Sequence, residues 1–332
     1  MSAKSALCLF FPSALPILDR LGPGVSDADR NNVNLTAIRE RLSVQAVRWA
    51  PKGLCSAAVG WGARKRLPRP LRAPTYRTFS RVVGAALEEA ELPLAEYPSL
   101  SHFFARRLRT GSRTLAARDA RTIVSPCDGA VAARGRVHRD HMIQAKGMGY
   151  TLSSLLVDRD RARQLAEGWY MTIYLSPRDY HRVHAPMDAR LIGYDYVPGS
   201  YFPVNPLFSR SVEALMARNE RVVFHLETPA GAASLVMVAA LGVSNIEVAH
   251  DGTETRYLRR TKNHQQVRFK RPIELARGDE IGTFNLGSTT IMVFQERTAD
   301  LDAISVGQTL RFGQAIGQLL DPATKTVSPW SS

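Results

Sequence analysis

The chain has 332 residues, of which 45% are apolar and 22% charged, the balance of an ordered globular protein with one large domain or a compact domain plus an appended segment. Its formal net charge of +14 predicts attraction to polyanions, either nucleic acid or a membrane surface carrying anionic lipid. The cysteines, Cys8, Cys55 and Cys127, are widely separated, which argues against a disulfide framework or a cysteine zinc site and fits a reducing compartment.

In chain order, the first apolar run is ALCLFFPSALPIL, residues 6–18. It is shorter than the roughly 20 apolar residues a spanning helix needs, is broken by Pro12 and Pro16, and lacks the small-residue cleavage site of a signal peptide. Residues 1–75 as a whole form a basic, partly apolar N-terminal region. Within it GLCSAAVGWG, 53–62, is followed by RKRLPRPLRAPTYR, 64–77, which contains no acid. Alone, that run suits a solvated linker; behind an apolar patch it suits a segment lying on an anionic membrane.

Apolar residues then recur at three or four positions over 78–90 and again over 99–107, which predicts two amphipathic helices. Beyond about residue 121 the character changes. TIVSPCDGAVAARGRV, GWYMTIYLS, ARLIGYDYV, RVVFHLET, ASLVMVAALGV, DEIGTFNLGS and TTIMVF are short β-branched or aromatic runs bounded by Gly, Pro, Asp and Asn. The expected fold is therefore α+β: a β-rich domain of short, mostly antiparallel strands, with amphipathic helices supplied by the N-terminal region.

Chemistry concentrates in SPCDGAV (125–131), LSPRDYHRVHAPMDA (175–189) and LGST (286–289). Asp128 has the setting of an ordinary Asp-Gly turn. His181 and His184 could share a helix face as metal ligands, but Pro177 and Pro186 bracket them too tightly and no third ligand stands nearby, so no metal is expected. In extended backbone, residues three apart face opposite ways, which gives the two imidazoles different tasks. Together these stretches hold an acid, an imidazole and a hydroxyl, the parts of an activated serine. Ser288, however, leads into a strand rather than a strand-to-helix elbow, with Gly287 directly before it. A serine so placed is poorly set to attack a foreign ester and well set to attack its own preceding carbonyl.

FNLGST at 284–289, YLSPRDYHRVHAP at 174–186, SPCDG at 125–129 and QAKGMGYTLSSLL at 144–156, supported by SLSHFFARRLRTGSR, VPGSYFPVN and ARNERV, together resemble the phosphatidylserine decarboxylase proenzymes. The resemblance covers about two thirds of the chain, residues 100–320, and makes 76–332 the catalytic domain. It implies that Asp128 orients His184, that His184 removes the Ser288 proton, and that Ser288 attacks the Gly287 carbonyl. The chain would then be cut into a β chain, 1–287, and an α chain, 288–332, the latter capped by a covalent pyruvoyl group derived from Ser288.

The resemblance further implies that phosphatidylserine forms a Schiff base with that group, loses carbon dioxide and becomes phosphatidylethanolamine, with His181 as proton donor. The implied partner is phosphatidylserine in an anionic membrane rather than nucleic acid, and the implied location is peripheral, on the cytoplasmic face of the cell membrane; a homodimer fits equally. The alternative is a serine hydrolase that uses Asp128, His184 and Ser288 on an external ester. A second acid-free stretch, 256–271, is expected to add to the membrane attraction.

Overall fold

The computed structural model describes residues 44–45, 49, 52–116, 119–145, 148–241, 245–259, 262–285 and 288–321. Gly287 and Lys146 fall outside them.

The described N-terminal part is helical. Helix α1, Lys52–Arg64, carries the apolar patch, and α2, Arg69–Val83, takes up most of the basic run. Helix α2 thus starts before residue 78 and stops short of residue 90, and it crosses the boundary expected at 75/76. Proline and glycine set its ends. Pro68 precedes it and Pro70 occupies its first turn, where a missing N–H costs nothing, while Gly84 closes it in the left-handed conformation, φ 80°, donating its N–H to the Ser80 carbonyl. Helix α3, Leu100–Phe104, is capped by the Ser99 hydroxyl and is shorter than its spacing predicts. Tyr76 and Phe103 stack at 4.8 Å and bind α2 to α3.

The remainder is mainly strand, interrupted by short helices at Leu152–Leu156, Arg159–Leu165, Pro206–Ser209, Leu215–Arg218 and Thr255–Leu258: β1 (Thr122–Val124), β2 (Gly129–Arg136), β3 (His141–Ala145), β4 (Met148–Thr151), β5 (Trp169–Leu175), β6 (Arg182–His184), β7 (Ala189–Val197), β8 (Arg221–Thr228), β9 (Gly231–Ala239), β10 (Ile246–Val248), β11 (Gln265–Leu275), β12 (Glu280–Phe284), β13 (Ser288–Phe294), β14 (Ala299–Asp300), β15 (Thr309–Leu310) and β16 (Ala315–Leu319). The main sheet has eight strands in the order β11-β7-β8-β9-β13-β5-β2-β15, and smaller sheets form from β1-β16-β14, β10-β12-β6 and β3-β4. Each named strand pairing is antiparallel, so the α+β architecture expected from the sequence is the one observed.

Strand β13 lies inside the main sheet and is buried from end to end. Both of its faces are covered, which is why TTIMVF is a continuous buried run instead of an alternating one. The register sets Ser288 opposite Leu175 of β5 and Ala239 of β9. The serine therefore stands at the mouth of the most enclosed strand, held on both sides.

Candidate active site

Backbone hydrogen bonds gather the motifs. Leu175, opposite Ser288, is the last residue of β5 and leads directly into the histidine segment. The His184 N–H donates to the Pro126 carbonyl at 2.9 Å, and the Phe284 N–H to the His181 carbonyl at 2.9 Å. SPCDG, YHRVH and the approach to LGST thus meet at one end of β13.

His181 is the imidazole that reaches Ser288: its Nδ1 lies 3.5 Å from Oγ, at the outer limit of a hydrogen bond. Its other nitrogen, Nε2, is 3.1 Å from the Ser176 carbonyl oxygen. A carbonyl can only accept, so Nε2 carries the proton and Nδ1 presents a lone pair to the serine. The ring is fully buried and stacks on Phe104 at 4.1 Å. Burial, reinforced by the charge of Arg106, pushes its pKa down to about 3, so the resting imidazole is neutral.

His184 faces another way. Its Nδ1 donates to the Gly278 carbonyl at 2.7 Å, so Nε2 is the acceptor for the Tyr180 hydroxyl at 3.0 Å. Its ring stacks on Phe312 at 3.9 Å. Burial lowers its pKa as well, opposed by the Gly278 carbonyl and by Glu280.

Asp128 is almost fully buried and is held by Arg113, which donates Nε–H to Oδ1 at 3.1 Å and Nη2–H to Oδ2. Arg113 also grips both oxygens of Glu89 at 2.9 Å. Asp128 Oδ1 accepts the Phe312 N–H at 2.8 Å. The structure therefore joins Asp128 to His184 through Phe312, whose backbone the carboxylate holds and whose ring the imidazole covers, and not by a hydrogen bond between the two groups. It brings Ser288 to His181, and not to His184.

Arg113, Phe312 and Tyr180 are site residues that chemical reasoning on the sequence passes over. Arg113 and Tyr180 stand inside quoted motifs, SLSHFFARRLRTGSR and YLSPRDYHRVHAP, which was the available signal; Phe312 has none. Cys127 is fully buried, with burial raising its thiol pKa, and it lies against Thr290. Two other features carry none of these groups. An open groove lined by Gln164, Arg190, Glu227 and Gln295 lies at the Phe294 end of β13, about 20 Å along the strand from Ser288. Asp158, Asp195 and His225 converge elsewhere, where Arg268 already ion-pairs with both carboxylates.

An α+β fold whose fully buried strand opens on a serine beside a neutral imidazole has the parts of an enclosed serine–histidine centre. The family model described as phosphatidylserine decarboxylase matches residues 100–318, a span that includes Asp128, His181, His184 and Ser288. The phosphatidylserine decarboxylase proenzyme of Anaeromyxobacter sp. (strain K) is 39% identical over 281 residues, covering 84% of this chain and 99% of that protein. The proenzyme of Myxococcus xanthus is 37% identical over the same shares, and that of Nitrosococcus oceani is 37% identical over 77% of this chain and 85% of its own length. The chain belongs to the phosphatidylserine decarboxylase family and is a carboxy-lyase.

Proposed function

We propose that this chain converts phosphatidylserine to phosphatidylethanolamine after cutting its own Gly287–Ser288 bond. The observation that carries this reading is the placement of Ser288, which is fully buried, strand-borne and faced by a neutral imidazole. In the uncut chain this hydroxyl is fully buried, which leaves an external ester outside and the preceding peptide bond beside it; cutting that bond is the event that would open position 288 to the lipid. The burial disfavours the hydrolase alternative, which needs a reachable serine on a strand-to-helix turn.

In this reading the Ser288 oxygen attacks the Gly287 carbonyl and displaces the Ser288 nitrogen, turning the peptide into an ester; loss of the Ser288 α-proton then expels the Gly287 carboxylate, separating 1–287 from 288–332, and water replaces the resulting enamine nitrogen, which leaves as ammonia. A pyruvoyl group at position 288 would supply an electron sink for the electrons released with carbon dioxide. The residues present suit such a group, because position 288 is anchored between Leu175 and Ala239 and stays in place when its link to 287 is lost.

Contacts divide the histidines: His181 touches position 288, whereas His184 is bound to Tyr180 and Gly278 and is linked to Asp128 through Phe312. Following the family resemblance we assign the Ser288 proton to His184, which has to approach Ser288 before the bond is cut. Asp128 is its positioning residue, acting through Phe312. His181, which touches position 288, serves decarboxylation: Nδ1 takes a proton from the substrate's ammonium group and returns it to the carbon that has lost carbon dioxide.

Intact mass tests this directly. The unaltered protein gives two chains, the smaller beginning at 288 with a blocked end; a single full-length species from an active preparation overturns self-processing. Ser288→Ala and His184→Ala stay whole. His181→Ala still gives two chains but decarboxylates about 100-fold more slowly or worse, the usual scale of a lost acid–base group. An uncleaved His181→Ala protein moves the base role to His181.

Membrane docking is part of the same reading. Helices α1 and α2 expose Leu54, Trp61, Leu71 and Val82 beside exposed Lys65, Arg66, Arg77 and Arg81, a surface that suits anionic lipid. Among the described residues no helix is long and apolar enough to cross a membrane. The second basic stretch contributes less than its composition suggests, because Arg256, Arg259 and Arg268 are turned into ion pairs with Glu254, Glu220 and Asp195.

A further inference from the structure

Among the described residues, deeply buried arginines are saturated, with one exception. Arg221 donates to the carbonyls of Leu155, Ala217, Asn219 and Ser154 at 2.5 to 2.9 Å. Arg161 meets the Leu226 and Ala233 carbonyls, each at 2.5 Å. Arg113 is clamped between Asp128 and Glu89. Arg106 is 3% exposed, yet among the described residues its guanidinium makes a single long hydrogen bond, Nη2 to the Arg178 carbonyl at 3.4 Å, and its buried Nε meets no partner. Among the described residues no carboxylate ion-pairs with it.

A buried cation with unused donors is costly unless an anion completes it. Arg106 stands at the candidate active site: it lies over the Phe103 ring at 5.2 Å, the neighbouring Phe104 stacks on His181, and the carbonyl it touches belongs to the loop that carries His181. We propose that Arg106 receives the phosphodiester of the substrate head group and so sets the distance between the lipid and position 288. This rests on the decarboxylase reading above.

The head group carries two anions, and the reaction distinguishes them. The carboxylate leaves as neutral carbon dioxide, so a guanidinium gripping it would stabilise the charge that has to disappear. The phosphodiester keeps its charge throughout, and Arg106 can hold it from binding to release without opposing the chemistry. The same positive charge helps to keep His181 unprotonated until substrate arrives.

The test uses the full chain with two soluble probes and titration calorimetry. Glycerophosphoethanolamine has the phosphodiester and no carboxylate; N-acetyl-L-serine has the carboxylate and no phosphate. Arg106→Gln is expected to weaken the first by about 10- to 100-fold and leave the second unchanged, with Arg106→Lys recovering part of the loss. With phosphatidylserine, the KM of Arg106→Gln rises while kcat stays within a few-fold. Because the parent's buried charge has no carboxylate in ion-pair contact, with Asp128 and Glu89 acting on it only from a distance, Arg106→Gln melts no lower than it does.

Unchanged glycerophosphoethanolamine binding, no binding by the unaltered chain, or a loss confined to N-acetyl-L-serine each overturns the proposal. A variant that melts well below its parent also overturns it, marking Arg106 as structural. If the unaltered chain binds the phosphodiester through Arg106 yet stays whole and inactive, the decarboxylase reading falls and the anion site stands. If chain and variant cleave and decarboxylate alike, only the anion site falls.

Discussion

His181 folds into a place that accepts it only without its proton. An unfolded histidine titrates near 6.5 and the buried ring near 3, so between those values the unfolded chain holds more protons than the native one. Stability therefore rises with pH across this window and is lost as pH falls from about 6.5 toward 3; the loss from His181 alone is about 2–3 kcal/mol by pH 4.5. Buried His184 shifts in the same direction. Urea unfolding of the uncleaved Ser288→Ala chain should show its midpoint dropping between pH 7 and 4.5, and dropping less steeply when His181→Gln is added. Equal slopes would contradict a neutral buried imidazole. At this scale the sequence shows Ser288 and both histidines, because each sits in a short motif whose chemistry is local. It does not show what holds Asp128, since Arg113 and Phe312 reach it from 15 and 184 residues away. Nor does it show that Arg106 is buried, because an arginine in an amphipathic pattern is normally solvated.

Strand β2 begins where SPCDG turns, and its glycine has a packing reason as well as a turn reason. A Cβ on Gly129 would sit 2.5 Å from the Tyr174 carbonyl oxygen and 2.7 Å from Ile173 Cγ2. Gly129→Ala must push β2 away from β5, the strand that holds Ser288 in register, and should cost about 3 kcal/mol, the upper end of overpacking penalties. A lowered urea midpoint with slower self-cleavage is the expected result, and an unaltered midpoint would show that β2 yields freely. The longer buried strands are legible in the sequence as β-branched runs. Strand β11 is not: it edges the main sheet, its residues alternate in exposure, and its charged side resembles a basic surface stretch. Helix α2 is misjudged for a different reason. Its start depends on Pro68 and Pro70 and on burial of Tyr76 against Phe103, contacts that periodicity counted from residue 78 omits.

Across the whole molecule the positive charge is unevenly used. Part of it is spent internally, on Asp195, Glu220 and Asp128, while α1 and α2 present theirs beside exposed tryptophan and leucine. Replacing Arg66, Arg77 and Arg81 together by glutamine should remove about 1 kcal/mol each of attraction to anionic vesicles, roughly a 100-fold weakening at low salt. Co-sedimentation with vesicles should fall with added salt in the parent and less so in the variant; salt-insensitive binding by the parent would assign docking to apolar insertion instead. Composition reveals this charge but not its division, which depends on which arginines find acids in the fold. Strand order, equally invisible in the sequence, has a last consequence. The neighbours of β13, β5 and β9, precede residue 287, while β15 and β16, beyond it, complete their pairing on β2 and β1. On the proposed route scission must then follow folding, because neither piece alone owns a finished sheet. The Gly287–Ser288 bond acts as a clock that starts only in a correctly assembled molecule, so a misfolded copy never acquires a reactive group.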